Sequence, residues 1–526
     1  MFLSSANRIR PWVLVVASAV ITMMLEAAPR PNIILIMCDD MGFSDIGCYG
    51  GEVETPNLDR LASEGMRFTQ FYNNAKCTTT RASVLTGLYP RFGKPGHLRN
   101  NMITLGEAMQ LAGYRTSLSG KWHLMKTRGA KKNEVGSWIR DFDRMTHPYF
   151  RGFERFYGLL DGGSNFFNPV QPDPPYKGGR TRNFGVNDQA LTHFPEDYYA
   201  TDAFTDHAIA SIREYAADEQ PFFLHLTYTA PHYPLHAKPE DIAKYRGRYR
   251  DGWDVMREAR WERQKAMGLA DSTWSFSEGD NRAYDWSGAD HDFEDHRMAV
   301  YAAMIDSMDQ NIGRLRRALE DEGVSDNTLI LFHSDNGGCA EEPGGRDPKV
   351  RNPGPKEDYV AVGPSWGWAQ NVPFRRYKSW VHEGGISTPM IAWWPGQVPE
   401  GAINRSVGHI IDLLPTFLEL AGGSYPKSYK GRRLLPVEGK SMASLLSGGS
   451  RAGHDSLAWY WAGNRAVRQG DWKLVWDKGI KKWELYDLSQ DRCETSDLAT
   501  TNPKRVASMS ESYFDWAEEM ELKLKD

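Results

Sequence analysis

The stretch PNIILIMCDD, residues 31–40, runs apolar without alternation and then stops on two carboxylates. A strand with one wet face alternates polar and apolar residues. An unbroken aliphatic run reads instead as a strand covered on both faces, as in a parallel sheet. In open α/β sheets ligands are held just beyond the carboxyl ends of the strands, so Asp39 and Asp40 stand where function is expected.

The same pattern recurs along the chain. YRTSLSGKWHL (114–124) leads into Lys121 and His123, PFFLHLTYTAPHYP (221–234) into His232, and NTLILFHSDNGG (327–338) into Asp335 and Asn336. TPMIAWWPG (388–396), preceded by the polar KSWVHEGG, is a further strand candidate. Helical signals fall between these runs. ETPNLDRLASEG (54–65) offers Thr55 as a cap and Pro56 at the first helical position. Thr104 and Glu107 have capping-box spacing. Val300, Met304, Met308, Ile312, Leu315 and Leu319 fall on one helical stripe, which reads as core packing. Strands alternating with helices predict an α/β fold with a mostly parallel central sheet flanked by helices.

Two regions differ. Residues 240–295 are rich in Arg, Trp, Glu and Asp with little periodicity, and read as a surface insertion at a substrate rim. After residue 425 come the short strand-like segments SLAWYWAG, RAVRQGDWKLVWDKG and KKWELYDLS, then a helical stretch over 503–524. The expected division is a catalytic α/β domain over 28–425 and a small antiparallel subdomain with its helix over 426–526.

At the amino end, Arg8 and Arg10 precede PWVLVVASAVITMML, an apolar run short for a bilayer, with small residues at Ala27 and Ala28. We expect a cleaved signal peptide over 1–27, an uncleaved anchor being the alternative, and a soluble exported protein, periplasmic or extracellular. The hydrophobic fraction of 40% suits a chain with a large core, and a net charge of −5 gives no footprint for nucleic acid. Five cysteines, an odd number, argue against a disulfide scaffold and for a free or modified thiol.

Taken singly, the polar strand ends are weak signals, since an Asp-Asn-Gly-Gly run is more often a turn than a ligand set. Together they form a plan. Asp39, Asp40, Asp335 and Asn336 offer only oxygen, a hard-cation set suited to calcium or magnesium and poorly matched to zinc; calcium is the expectation. Arg81, Lys121, His123 and Lys378 add positive charge around it. A divalent cation ringed by such groups holds a tetrahedral oxyanion, and phosphate and sulfate esters both fit.

Cys77, in KCTTTRASVLTG (76–87), lies among polar residues where a packing cysteine would not. Here the chain resembles the type I sulfatases of the alkaline phosphatase superfamily. Their signature is Cys or Ser, any residue, usually Pro, any residue, then Arg; it stands here as Cys77-Thr78-Thr79-Thr80-Arg81. The likeness runs through GKWHL, APHYP, HSDNGG and YKSWVHEGGISTP to LYDLSQD, and the wording around HEGGISTP is similar to the arylsulfatase branch. Thr79 is the departure, standing where proline is usual.

The resemblance implies that a maturation enzyme oxidises Cys77 to Cα-formylglycine, whose hydrate attacks the sulfate sulfur to give a sulfo-enzyme. It implies Asp39, Asp40, Asp335, Asn336 and modified Cys77 as metal ligands and Arg81 as the group that orients the hydrate. Lys121 and Lys378 would bind sulfate, His232 would protonate the leaving alcohol and contact the substrate, and His123 would serve the breakdown step. Ser164, in DGGSNF, would be a further sulfate contact. The substrate would be a sulfated small molecule or saccharide, with no nucleic acid or membrane partner. A phosphodiesterase or phosphonate monoester hydrolase of the same superfamily, and a non-catalytic binder of sulfated glycans, are the alternatives.

Overall fold

A computed structural model describes residues 30–94, 96–126, 144–279 and 284–524, so the segment read as a signal peptide lies outside the described residues. The main sheet is built from β1 (Asn32–Cys38), β2 (Met66–Tyr72), β3 (Arg115–Gly120), β4 (Arg155–Leu159), β5 (Phe184–Val186), β6 (Gln189–Ala190), β7 (Phe222–Thr227), β8 (Thr328–Ser334), β9 (Ser387–Trp393), β10 (Ala402–Asn404) and β11 (Gly408–His409). The strand order is β10-β2-β9-β8-β1-β7-β3-β4-β5-β6, with β11 also paired to β2. Neighbours from β8 through β1, β7 and β3 to β4 are parallel. β9 runs antiparallel between β8 and β2.

Every residue of β1, β7, β8 and β9 is buried, which is why β1 reads as an unbroken apolar run and the other three as mostly apolar ones. Alternate residues of β1 feed two cores. Ile34 and Ile36 join Val300, Met304, Met308 and Ile312 of the helix His291–Asp321 on one face. Ile33, Leu35 and Met37 join Leu105, Met109 and Phe417 on the other. Helices therefore cover both faces, as the alternation of elements predicts.

Strand direction gathers the chemistry. The carboxyl ends of β8, β1, β7, β3 and β4 all open on one edge of the sheet. β9 is antiparallel to β8, so the residues before it reach the same edge. β2 runs the same way as β8, so the chain leaving it, which becomes the helix Cys77–Thr86, starts there too.

The strands Leu457–Trp461, Asn464–Gln469, Trp472–Asp477 and Lys482–Asp487 make a separate antiparallel sheet in sequence order, closed by the helix Pro503–Glu519. Buried ion pairs bind it to the main body. Lys473 meets Glu383 at 2.9 Å and Glu494 at 2.8 Å, and Arg492 meets Glu383 at 2.8 Å. Among the described residues no helix is long and apolar enough to cross a membrane.

Two expectations need correction. Thr55 does precede the helix Pro56–Ser63, but its hydroxyl does not cap it. It accepts from the Gly47 N–H at 2.9 Å and donates to Asp59 at 3.1 Å. Nor are the described residues of 240–295 only a surface insertion. They contain the helices Pro239–Tyr245 and Gly252–Ala266, and the second drives Trp253, Arg260, Trp261 and Gln264 into the interior. Arg260 is fully buried against Asp45 at 2.7 Å and Glu52 at 2.8 Å. A charged side chain reads as exposed in the sequence and is buried here because two carboxylates neutralise it. Arg260→Ala leaves Asp45 buried without its cation. It should cost about 3–5 kcal/mol, read as a lower midpoint in denaturant unfolding; a change well below that range would contradict the ion-pair account.

Candidate active site

Backbone hydrogen bonds extend the sheet past its formal ends and set the site residues side by side. The Asp39 N–H donates to Ala230 O at 3.1 Å, Asp335 N–H to Cys38 O at 3.1 Å, and Lys121 N–H to Thr227 O at 2.8 Å. The Lys378 N–H donates to Gly338 O at 3.1 Å. Asp40 and His123 take positive φ, 66° and 63°, a conformation that non-glycine residues rarely hold and that recurs at functional positions. Gly337 permits close approach, because a Cβ there would sit 1.9 Å from the Gly384 carbonyl oxygen. Gly162 does the same for His123, whose Nε2 would lie 2.4 Å from an added Cβ.

The site is an interlock of opposite charges cut off from water. Arg81, buried, reaches Asp335 at 2.8 Å and lies 3.8 Å from Asp39. Lys121 Nζ pairs with Asp39 Oδ2, and Lys378 Nζ meets Asp40 Oδ2 at 2.6 Å. Asn336 Nδ2 donates to Asp40 Oδ1 at 2.8 Å, and His232 Nε2 lies 3.5 Å from Asp40 Oδ2. Three carboxylates thus face three cations, so burial does not leave net charge stranded.

Cys77 is the first residue of its helix, and its side chain is almost fully buried. Burial pushes its thiol above the usual value, with Lys121 and Lys378 working the other way. The protonated thiol is a poor nucleophile. Burial, reinforced by Lys121, holds His123 well below the usual histidine range. Burial does the same to His232, with Asp40 opposing and Lys378 adding to the shift. His232 Nδ1 meets the Tyr233 carbonyl, which can only accept, so Nδ1 carries the proton and Nε2 is the free exchanging atom.

Asp39, Asp40, Cys77, Arg81, Lys121, His232, Asp335, Asn336 and Lys378 are thereby brought together. His123 adjoins them through the 161–163 turn, whose Gly163 faces His232. Ser164, the next residue after that turn, is buried. Of the aromatic residues that lie near the motifs, Trp122 and Trp366 pack in the cores, while Tyr233 lies over His232 with ring centroids 4.3 Å apart.

One neighbour escapes a reading of the sequence. Glu341 takes Lys76 at 2.9 Å, accepts from the Tyr233 hydroxyl, and lies 3.7 Å from Lys378. Its position two residues beyond Cys339, past the HSDNGG run, is the available signal, but nothing in the residue pattern marks it off from an ordinary loop acid.

The donor set fits a hard divalent cation. Asp39 Oδ1 and Asn336 Oδ1 are buried oxygens without a hydrogen-bond partner. Burial, then Asp335, pushes the Asp39 carboxyl up, with Lys121 and Arg81 working the other way. Ligand atoms of Asp39, Cys77 and Asp335 lie within 4.8 Å of one another. Asp39, Asp40, Asp335 and Asn336 are the residues that would hold the ion.

Comparison with known proteins agrees with this geometry. The solved structure of Ps i-CgsB in complex with k-i-k-neocarrahexaose is 26% identical, with a TM-score of 0.66 over 93% of each chain. The fold and its neighbours set the chain in the alkaline-phosphatase-like superfamily. The sulfatase family model matches residues 31–424, and the model for the C-terminal part of N-sulphoglucosamine sulphohydrolase matches residues 374–513. An uncharacterised sulfatase of Schizosaccharomyces pombe is 34% identical over 90% of this chain and 91% of its own. The arylsulfatase of Klebsiella aerogenes is 32% identical over 79% of this chain and 92% of its own. The chain belongs to the sulfatase family and is a sulfuric ester hydrolase.

If the orphaned oxygens are cation ligands, calcium added to chelator-treated protein should raise Tm, and Asp335→Asn should abolish most of that shift. An equal shift in the variant would place the ion elsewhere.

Proposed function

We propose that this sulfatase cleaves sulfate monoesters of an alcohol, phenol or sugar with Cys77, converted to Cα-formylglycine, as its nucleophilic residue. The observation that supports this most is the setting of Cys77: a buried, protonated thiol at a helix start, inside a cluster of oxygen donors and cations. As a cysteine it would do little there. The aldehyde hydrate, once formed, supplies an oxygen nucleophile in its place. The divalent cation, calcium in our reading, supplies Lewis-acid polarisation and charge neutralisation when bound.

The chain's own residues then divide the remaining work. Arg81, clamped on Asp335 and the Lys121 carbonyl, orients residue 77. The first turn of the helix Cys77–Thr86 contains no acidic residue and presents its positive end to the anion. Asp39 and Asp40 would hold the cation, and Lys121 and Lys378, whose ammoniums lie against those two carboxylates, are the groups placed to meet the sulfate oxygens. Burial is the main cause that depresses His232; Lys378 and Lys121 add to it, and a bound sulfate would offset that lysine part, favouring the imidazolium that delivers a proton from Nε2 to the leaving oxygen. His123, pinned by Gly162, serves as base or hydrogen-bond donor in the breakdown step, and Ser164 is a weaker candidate for sulfate contact.

A sulfated saccharide is the favoured substrate. N-acetylgalactosamine-6-sulfatase of Rattus norvegicus is 28% identical over 93% of this chain, and Ps i-CgsB was solved with a saccharide. Export to the periplasm or beyond, a formylglycine-generating partner, and a domain division near residue 425 complete the proposal.

Cys77→Ala should abolish 4-nitrophenyl sulfate hydrolysis while circular dichroism stays native; wild-type rates would sink the mechanism. His232→Ala should slow alkyl or sugar sulfates by about 10²–10⁴-fold and 4-nitrophenyl sulfate, with its good leaving group, much less. Equal losses would remove His232 from the acid role.

A further inference from the structure

One cation beside the site has no carboxylate of its own. The loop over 161–183 carries Lys177, Arg180 and Arg182. Arg180 pairs with Asp161, and Arg182 with Asp173. Asp161 also accepts from the Asn183 N–H at 2.8 Å, and the Tyr176 hydroxyl donates to Tyr359 O at 3.2 Å, so the loop is pinned on both sides of Lys177. The Lys177 backbone closes a turn, its N–H donating to Pro174 O at 2.9 Å.

The Lys177 ammonium lies 4.9 Å from the centroid of the Tyr233 ring and 5.9 Å from that of Tyr359, and donates to the Tyr233 hydroxyl at 3.3 Å. No ion pair joins it to a carboxylate among the described residues. Two acids act on it through space, Glu341 and Asp173; Glu341 is engaged by Lys76 and the Tyr233 hydroxyl and lies close to Lys378, and Asp173 pairs with Arg182. Lys378 Nζ is itself 5.8 Å from the centroid of that same Tyr233 ring. A single aromatic ring therefore has two ammoniums within 6 Å of its centre, one paired with Asp40 at the reacting site and one half-buried and unpaired by any acid.

Holding an unpaired ammonium in a fixed, partly desolvated position is unfavourable until an anion arrives, and such a group discriminates strongly between ligands that carry the anion and ligands that do not. We infer that Lys177 is a specificity-determining residue that receives a second anionic group, sulfate or carboxylate, carried by the substrate on the same sugar as the scissile sulfate or on the next. The inference rests on the sulfatase reading above and narrows its substrate to multiply anionic saccharides. Simple aryl sulfates, which lack the second anion, leave Lys177 unused.

The test measures competitive inhibition of 4-nitrophenyl sulfate hydrolysis by glucosamine 6-sulfate and by glucosamine 2-N,6-O-disulfate, in the wild type, Lys177→Gln and Lys177→Arg. In the wild type the disulfate should inhibit about tenfold more tightly. Lys177→Gln should bring the ratio close to one, and Lys177→Arg should keep most of it. A flat ratio in the wild type, a ratio that Lys177→Gln retains, or no inhibition by either sugar overturns the inference while 4-nitrophenyl sulfate turnover leaves the sulfatase reading standing. Absence of that turnover in mature wild-type protein defeats the sulfatase reading itself, and this inference with it.

Discussion

Three carboxylates held out of water at one edge of a sheet repel one another and lose their hydration, and the fold has to answer both costs. Arg81, Lys121 and Lys378 provide the answer, each from a different segment: the helix after β2, the end of β3, and the approach to β9. That requirement is met by the antiparallel course of β9 within the central sheet. Were β9 parallel to β8, the segment bearing Lys378 would lie at the far edge, and Asp40 would lack its cation. The balance is close enough that adding a dication would give the site a net positive charge. A bound sulfate ester, itself a monoanion, would offset part of that charge.

Much of this is legible in the residues because burial on both sheet faces leaves a plain mark. The runs before Asp39, His232 and Asp335 are mostly apolar, unbroken in β1 and interrupted by His225 in β7 and His333 in β8, and each is a fully buried strand with site residues past its end. β2, by contrast, carries no such mark. MRFTQFY mixes polar and apolar residues because Arg67 and Gln70 are only partly buried, and its pairing to β9 shifts register between Phe68 and Phe71. The helix Gly252–Ala266 misleads for a different reason. Arg257, Arg260 and Gln264 look solvent-facing in sequence, yet they are interior; Arg260 and Gln264 are held by partners at distant positions such as Asp45, Glu52 and Val372. Glu341 is hidden likewise, since its partners Lys76, Tyr233 and Lys378 come together only in three dimensions.

Thr79 has a local explanation. It is the third residue of the helix Cys77–Thr86, where backbone N–H groups have no partner within the helix, so a proline at this place would sacrifice nothing. Threonine uses the place differently: its hydroxyl donates to the carbonyls of Asn74 at 2.9 Å and Lys76 at 2.8 Å. Thr80 accepts from the Asn74 N–H at 3.0 Å. The turn that presents Cys77 is thus tied down by side-chain hydrogen bonds instead of a fixed ring, and the fold around residue 77 does not depend on proline.

Every catalytic role assigned at this site depends on the chemical state of residue 77. The direct measurement is the mass of the tryptic peptide containing it, from protein made together with a formylglycine-generating enzyme. The expected peptide is lighter than the cysteine form, one oxygen having replaced the sulfur and two hydrogens. A peptide of unmodified mass, in protein that nevertheless hydrolyses sulfate esters, would contradict the formylglycine mechanism.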